Sequence, residues 1–342
     1  MTSLQTTIVL LSLMMVLVVA CTLAQTKLGT FGAVGAYMRS PFVYWRPEGA
    51  SYKIPIFPGG GLVGLLLLIN LAAAQFLRLE VSWRKAGLWV VHLGLIMLFA
   101  GEFVTGFFQR ESQMILPVGG TRGWMQDLHE TELALIDGTD KDFDAVFAIS
   151  EKRLARGGAI ADARLPFVLK IGSYESIPAP VGADADSDDI RVMVSLEKDG
   201  RTFGPWTLDS NTGQVATFTD AGRGYAIELR PKRHYLPFAL TLKKFIHETY
   251  PGTDIPKGFA SRVRVFDAAG NTDREVLISM NNPLRYDGLS FYQASFAKED
   301  TVSILQIVAN PGRLIPYLAC ALVAAGLLLH FAMRFRPSGA SR

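Results

Sequence analysis

Four long apolar stretches punctuate an otherwise polar chain: Ile8–Ala24, Gly61–Leu77, Gly87–Phe108 and Leu314–Met333. Each is about as long as a helix must be to cross roughly 30 Å of hydrocarbon at ~1.5 Å per residue. Helix is the predicted conformation, because lipid offers no water to satisfy exposed backbone groups. Between the third and fourth stretches the pattern changes. Short segments rich in β-branched and aromatic residues (Phe167–Tyr174, Arg191–Leu196, Gly224–Leu229, Ser261–Phe266, Glu275–Ile278) alternate with turn formers at Asp199-Gly200, Gly222, Gly270-Asn271 and Asp287-Gly288. This spacing predicts an antiparallel sandwich or barrel. The expected fold class is a membrane protein with four transmembrane α-helices and an all-β, sandwich- or barrel-like domain inserted between helices 3 and 4. The expected division is 1–108 (helices 8–24, 61–77 and 87–108, with an outer loop 25–60), 109–313 for the β domain, and 314–342 for the last helix and a basic tail.

Charge sharpens the division. Residues 109–313 hold 24 Lys+Arg and 28 Asp+Glu, a balance of −4; the remaining 10 Lys+Arg and 3 Asp+Glu give +7, which together make the chain's +3. A mildly acidic domain on basic membrane flanks gives no reason to expect a nucleic-acid partner; membrane lipid is the expected surroundings of the flanks. Arg78, Arg84 and Lys85 cluster between the second and third spans, and Arg334, Arg336 and Arg342 follow the fourth. By the positive-inside tendency both sites are cytoplasmic, as then is the N-terminus. The insert is expected to be extracytoplasmic, in the periplasm above a cell inner membrane. Lys27, Arg39, Arg46 and Lys53 in the loop 25–60 run against this orientation. That loop also carries Tyr37, Phe42, Tyr44, Trp45, Tyr52 and Phe57, residues suited to anchoring at a membrane interface or to meeting a ligand or partner.

Val18-Val19-Ala20-Cys21 resembles a lipoprotein cleavage box, but no Lys or Arg precedes the apolar run and three more spans follow. The two cysteines, Cys21 and Cys320, both sit in spans, and there is no C-x-x-C, which argues against thiol–disulfide chemistry. No C-x-x-C-H, G-x-S-x-G, H-E-x-x-H, P-loop or dinucleotide fingerprint occurs. The run Ala183–Asp189 is acidic but lacks the turn Gly and distal Glu of an EF-hand loop, so a solvated loop is expected.

Attention therefore falls on polar groups inside the spans. His92 stands five residues after Gly87 in the third span. A histidine there faces either a neighbouring helix, by hydrogen bond, or a ligand, since neutral imidazole is a common metal ligand. Gly94, Ala100 and Gly101 would admit a second helix or a flat ligand closely. His330 lies one turn before Arg334. If spans three and four are neighbours, it comes to similar depth as His92, and two such histidines suit the two axial positions of a haem iron; an interfacial role for His330 is equally open. Glu102 lies further along the third span without an evident role. In the insert, Arg230-Pro231-Lys232-Arg233-His234 is a basic cluster able to receive carboxylates or contact a partner, whereas His129 and His247 carry no local signal.

More specific residues follow. The chain reads Leu236-Pro237-Phe238, Lys244-Phe245, Tyr250-Pro251-Gly252-Thr253, Ile278-Ser279-Met280-Asn281-Asn282-Pro283-Leu284, Gly288, Phe291-Tyr292-Gln293-Ala294-Ser295, Asn310-Pro311-Gly312 and Pro316-Tyr317. Asn70-Leu71-Ala72-Ala73-Ala74 and His92-Leu93-Gly94 lie upstream in the same order. Together they resemble the ResB (CcsB) family of cytochrome c biogenesis proteins, over most of the chain except 146–220. The resemblance implies a non-autonomous subunit of a haem lyase, the system II cytochrome c synthase. With a ResC/CcsA-like membrane partner it would export haem and attach it to the C-x-x-C-H thiols of apocytochrome c. It implies haem b as transported substrate and a histidine ligand in the third span, which by position is His92; His330 is carried beside it as the second candidate. The alternative is a scaffold or apocytochrome receptor that binds no haem. Two departures stand out: the insert is short for the family, and no tryptophan-rich W-W-D motif is present, so the chain alone is not expected to complete the synthase.

Overall fold

The computed structural model describes residues 4–45, 47, 52–140, 143–177, 189–253, 256–297 and 300–334. The acidic run lies outside them up to residue 188, as do Arg46, Arg336 and Arg342. The chain divides into two compact units: one holds Met1–Arg110 and Ala309–Arg342, the other Glu111–Pro180 and Ala185–Val308.

The first unit is helical. α1 runs Leu4–Ala33 with a break at Gly29 (φ 68°), α2 covers Gly60–Ala73, and α3 covers Ala86–Phe108. The last helix of this unit is Ile315–Arg334. All four are long and apolar enough, with flanking turns, to cross a membrane. α1 outlasts its apolar stretch because Gln25, Thr26 and Lys27 continue the helix beyond it. The loop expected over 25–60 is thus largely structured. After α1 comes a π-helical turn, Val34–Arg39, then a hairpin of β1 (Phe42–Trp45) and β2 (Ile54–Pro58). Val43 of the hairpin is buried with Leu10, Leu17, Val63 and Leu67, and Tyr37 and Phe57 pack on that group; Tyr44, Trp45 and Tyr52 stay exposed.

The helices Ala86–Phe108 and Ile315–Arg334 are antiparallel neighbours joined through glycines. A Cβ at Gly87 would stand 2.5 Å from the backbone nitrogen of His330, and one at Gly101 2.5 Å from Cγ2 of Ile315. From the other side, a Cβ at Gly326 would reach 2.7 Å from the Val91 nitrogen. Gly87, Gly94 and Gly101 recur every seven residues, which keeps them on one face and lets two backbones close together without a side chain between. Of the small residues noted in the sequence, Gly94 and Gly101 receive a helix rather than a flat ligand, and Ala100 is exposed. Asn310 fixes the approach to the last helix: its Nδ2 donates to Gln109 Oε1 (3.1 Å) and Thr105 Oγ1 (3.3 Å), and its Oδ1 accepts from the Gly312 amide (2.7 Å).

The second unit is built of β-strands. In chain order these are β3 (Arg110–Pro117), β4 (Thr121–Asp137), β5 (Ala145–Ser150), β6 (Gly158–Ile160), β7 (Val168–Ile177), β8 (Asp189–Lys198), β9 (Arg201–Asp209), β10 (Val215–Asp220), β11 (Arg223–Thr249), β12 (Pro256–Asp267), β13 (Thr272–Ser279), β14 (Leu284–Tyr286), β15 (Leu289–Ala297) and β16 (Val302–Ala309). A single helical turn, α4 (Glu151–Leu154), interrupts them, and the helix Ile315–Arg334 is α5. The main sheet has the order β13-β12-β11-β4-β3-β16-β15-β14, with β10 on β11 and β5 on β4. Its two ends meet through reciprocal backbone bonds between Ser279 and Asn282 (3.0 and 3.2 Å), which makes the sheet nearly a closed barrel. Alternating residues fill it: Leu240 and Leu242, Val263 and Val265, Leu305 and Ile307 are buried. A second sheet, β6-β7-β8-β9, covers the far half of β4 and β11 as a sandwich. Leu133, Leu135, Ile227 and Leu229 meet Leu169, Val192, Val194 and Leu196 there, around a T-shaped and stacked group of Phe167, Phe218 and Tyr225. Each such buried side chain contributes about 1.5–3 kcal/mol.

Candidate functional site

α2 does not end as an ordinary α-helix. It widens into a π-helical turn at Ala74–Arg78, and Gln75 within that turn is 1% exposed while its neighbours Phe76 and Leu77 are 65% and 78% exposed. The apolar residues point outward and the amide inward, the arrangement expected of a segment in lipid. Gln75 meets α3 twice. Its Nε2 donates to the backbone carbonyl of Trp89 (3.3 Å), and its Oε1 lies 3.1 Å from His92 Nδ1. A carbonyl can only accept, so the Trp89 contact fixes which end of the amide carries the hydrogens. The end facing His92 is therefore an acceptor, and His92 must donate from Nδ1. That leaves Nε2 as the nitrogen with a lone pair, the form in which an imidazole ligates a metal. The connection from α2 to α3 is tied down just beyond. Trp89 Nε1 donates to the Glu80 carbonyl (3.2 Å), and Lys85 bonds the Glu80 carboxylate (2.6 Å), which holds it below the usual carboxylate range.

His330 is placed differently. Its backbone packs on Gly87, and its Nδ1 is buried without a hydrogen-bond partner. Five residues separate Gly87 from His92, equivalent to ~7.5 Å along α3 and about 140° around it. The structure thus brings His92 to Gln75 and His330 to Gly87, on different sides of α3. Glu102 is exposed. Gln75 escaped the sequence reading although it directly follows Asn70–Ala74; the signal was a polar residue kept near the end of an apolar span. Asn70 is similar: buried, it donates to Thr7 Oγ1 of α1 (2.7 Å).

In the β unit, the basic cluster is matched internally. Arg230 is buried, with Nε donating to Glu132 (3.0 Å) and Nη1 to Glu228. Burial works to lower its affinity for protons, and the two glutamates outweigh that and raise it. Lys232 bonds Glu130 (2.6 Å) and holds its carboxyl below the usual range; Arg233 reaches Glu228 (3.6 Å) and stacks 4.3 Å over Trp124; His234 lies 3.5 Å from Asp127. These charges join β11 to β4. Elsewhere, His247 Nδ1 lies 3.0 Å from Asp300 Oδ2, and its ring clusters with those of Phe259 and Phe296. Half-buried Gln293 joins the buried Ser261 and Ser303: the Ser261 hydroxyl donates to its Oε1 (2.6 Å), and its Nε2 donates to Ser303 (3.2 Å). Among the described residues no group of three or more metal-ligating side chains occurs.

The ResB-like family model aligns with residues 204–306. That segment is ResB-like. It spans β10 to β15 and most of β9 and β16, and so contains the Arg230 cluster, the His247–Asp300 pair and the Gln293 network. Over 98 residues the chain is 38% identical to Protein NrfI of Wolinella succinogenes, covering 29% of this chain and 11% of that protein. The chain thus matches only about a ninth of that relative's length. His92, Gln75 and His330 lie outside the ResB-like segment.

Proposed function

We propose that this multi-pass membrane protein is a ResB-type subunit of a system II cytochrome c synthase. The observation that carries the proposal is the ResB-like segment itself, set in a β domain whose chain leaves one apolar helix, α3, and returns to another, α5. The ResB-like segment and the likeness to NrfI support a role in cytochrome c biogenesis. The finer reading is that the chain works with a ResC/CcsA-like partner in a cell inner membrane, with both termini cytoplasmic and the β domain periplasmic. Arg78, Arg84, Lys85 and Arg334 at the ends of the spans support this orientation. Haem b is the transported substrate, and apocytochrome c receives it.

His92 is the residue proposed to hold haem iron. An Nδ1 already donating to an amide oxygen suits Nε2 for that task. Bound haem supplies iron to be ligated and vinyl groups to be joined to thiols; this chain's part is to hold and orient it. His330 as opposing ligand has weaker support, since it sits on another side of α3; a ligand from the partner fits better. The test is the visible spectrum of the complex with its partner. His92→Ala should lose the haem bands and regain them with added imidazole; an unchanged spectrum removes His92 from the reading.

A second reading, apocytochrome receptor without haem, is favoured by one observation: the family match is confined to the β unit. It predicts that a C-x-x-C-H peptide crosslinks to the β domain and that His92→Ala still matures cytochrome c.

A further inference from the structure

We infer that Gln75 is a positioning residue that locks His92 in the Nδ1–H form and so presents Nε2 as the ligating atom. The inference deepens the haem reading of His92 and rests on it for its purpose, though the tautomer itself is a property of the chain without haem.

Three observations converge on Gln75. The side chain is 1% exposed in a span whose adjacent residues face outward. It lies in a π-helical turn, a local widening that recurs at functional positions and that here carries an amide to the face of α3. It bridges the Trp89 carbonyl and the His92 ring, three residues apart and hence on one face of α3. In a low-dielectric span each unpaired polar group is costly, so a neutral imidazole takes the tautomer whose N–H finds an acceptor. Gln75 offers only its oxygen, because its N–H is engaged by a carbonyl that cannot reverse roles. Leucine at this position would leave both tautomers of His92 without that preference. Glutamate in its protonated form would keep an acceptor for His92 and a donor for the Trp89 carbonyl, and so would preserve the arrangement.

The experiment uses the full chain, labelled with 15N-histidine, in lipid nanodiscs without haem. The His92 resonances are assigned by their loss in His92→Asn. Wild type should show Nδ1 protonated and Nε2 bare, and Gln75→Leu should mix in the other tautomer. Gln75→Glu should restore the wild-type form. In the haem-loaded complex, Gln75→Leu should weaken haem binding about 10–100-fold, the usual effect of losing such a supporting bond. Nε2 protonation in wild type, or a tautomer indifferent to Gln75→Leu, overturns the inference. Should Gln75→Leu fail to fold, the wild-type and Gln75→Glu spectra decide it, both being expected to show Nδ1 protonated. If His92→Ala keeps its haem bands while wild type is Nδ1-protonated, the ligand reading falls and the Gln75 assignment stands.

Discussion

Gly94 of α3 faces the backbone carbonyl of Ala319 on α5 so closely that a Cβ there would stand 2.9 Å from that oxygen, with Cγ2 of Val323 at 2.8 Å. No rotamer change can move a carbonyl out of the way, so the helix pair must separate to admit any side chain. Gly94→Val should therefore destabilise the helical unit by about 1–3 kcal/mol, the usual range for overpacking. Thermal unfolding in detergent reads this directly. Gly106→Val, where no atom lies within 4 Å of the added Cβ, serves as the control. Equal stability of the two variants would refute the close packing of α3 on α5.

His330 and His92 should behave differently on substitution. The reading that the second iron ligand comes from the partner predicts that His330→Ala keeps the haem bands that His92→Ala loses. Because the His330 Nδ1 is buried and unpartnered, removing it leaves no other polar group stranded, and thermal stability should change little. Loss of the bands in both variants would restore the paired-ligand arrangement.

The Arg230–Glu132 pair spans β11 and β4 with both side chains under 10% exposed. Arg230 keeps Glu228 when Glu132 is lost, whereas Glu132 has, among the described residues, its ion pair with Arg230 alone, so Arg230→Met strands the buried carboxylate and should cost about 3–5 kcal/mol. Replacing both members with apolar residues, Arg230→Met with Glu132→Leu, should recover most of that loss. Urea unfolding of wild type, Arg230→Met, Glu132→Leu and the double variant as a double-mutant cycle separates the terms, and a small loss in Arg230→Met would show that the Glu132 carboxylate does not depend on this pair.

Acid sensitivity should appear at Asp162. The side chain and backbone amide of Arg164 bond its carboxylate and lower it to about 2, against ~3.9 in an unfolded chain. A depressed value contributes stability above the unfolded pKa and loses it as pH falls through the folded one. Wild type should thus exceed Asp162→Asn in urea midpoint near neutral pH, with the gap closing between about pH 4 and pH 2. Arg164 is exposed and Asp162 only half-buried, so the gap will be small; a gap that widens on acidification has the wrong sign for this pairing.

The four spans and the β character of the insert were legible because lipid and sheet impose patterns of length and alternation that a linear reading detects. The ends were less so. Hydropathy marks where apolar residues stop, and α1 continues through Gln25–Lys27 because nothing there breaks a helix. Gly224–Leu229 was visible as a short strand, whereas the structure continues it through Pro231 and Pro237 to Thr249; register shifts at Pro231/Arg233 and Tyr235/Leu240 absorb the missing donors. His92 stood out as a polar residue in an apolar span. Its dependence on Gln75 did not, because that contact links residues 17 positions apart through a π-helical turn no periodicity announces.

β4 and β11 run without interruption from the sandwich into the barrel, β11 for 27 residues. They act as a pair of girders common to two rooms. A one-residue slip beside Ile227 and Leu229 would turn both out of the sandwich, but the register shifts at Pro231/Arg233 and Tyr235/Leu240 stand between that slip and Leu240 in the barrel. The two rooms thus share their beams but not their floor plan, and one can settle without tilting the other.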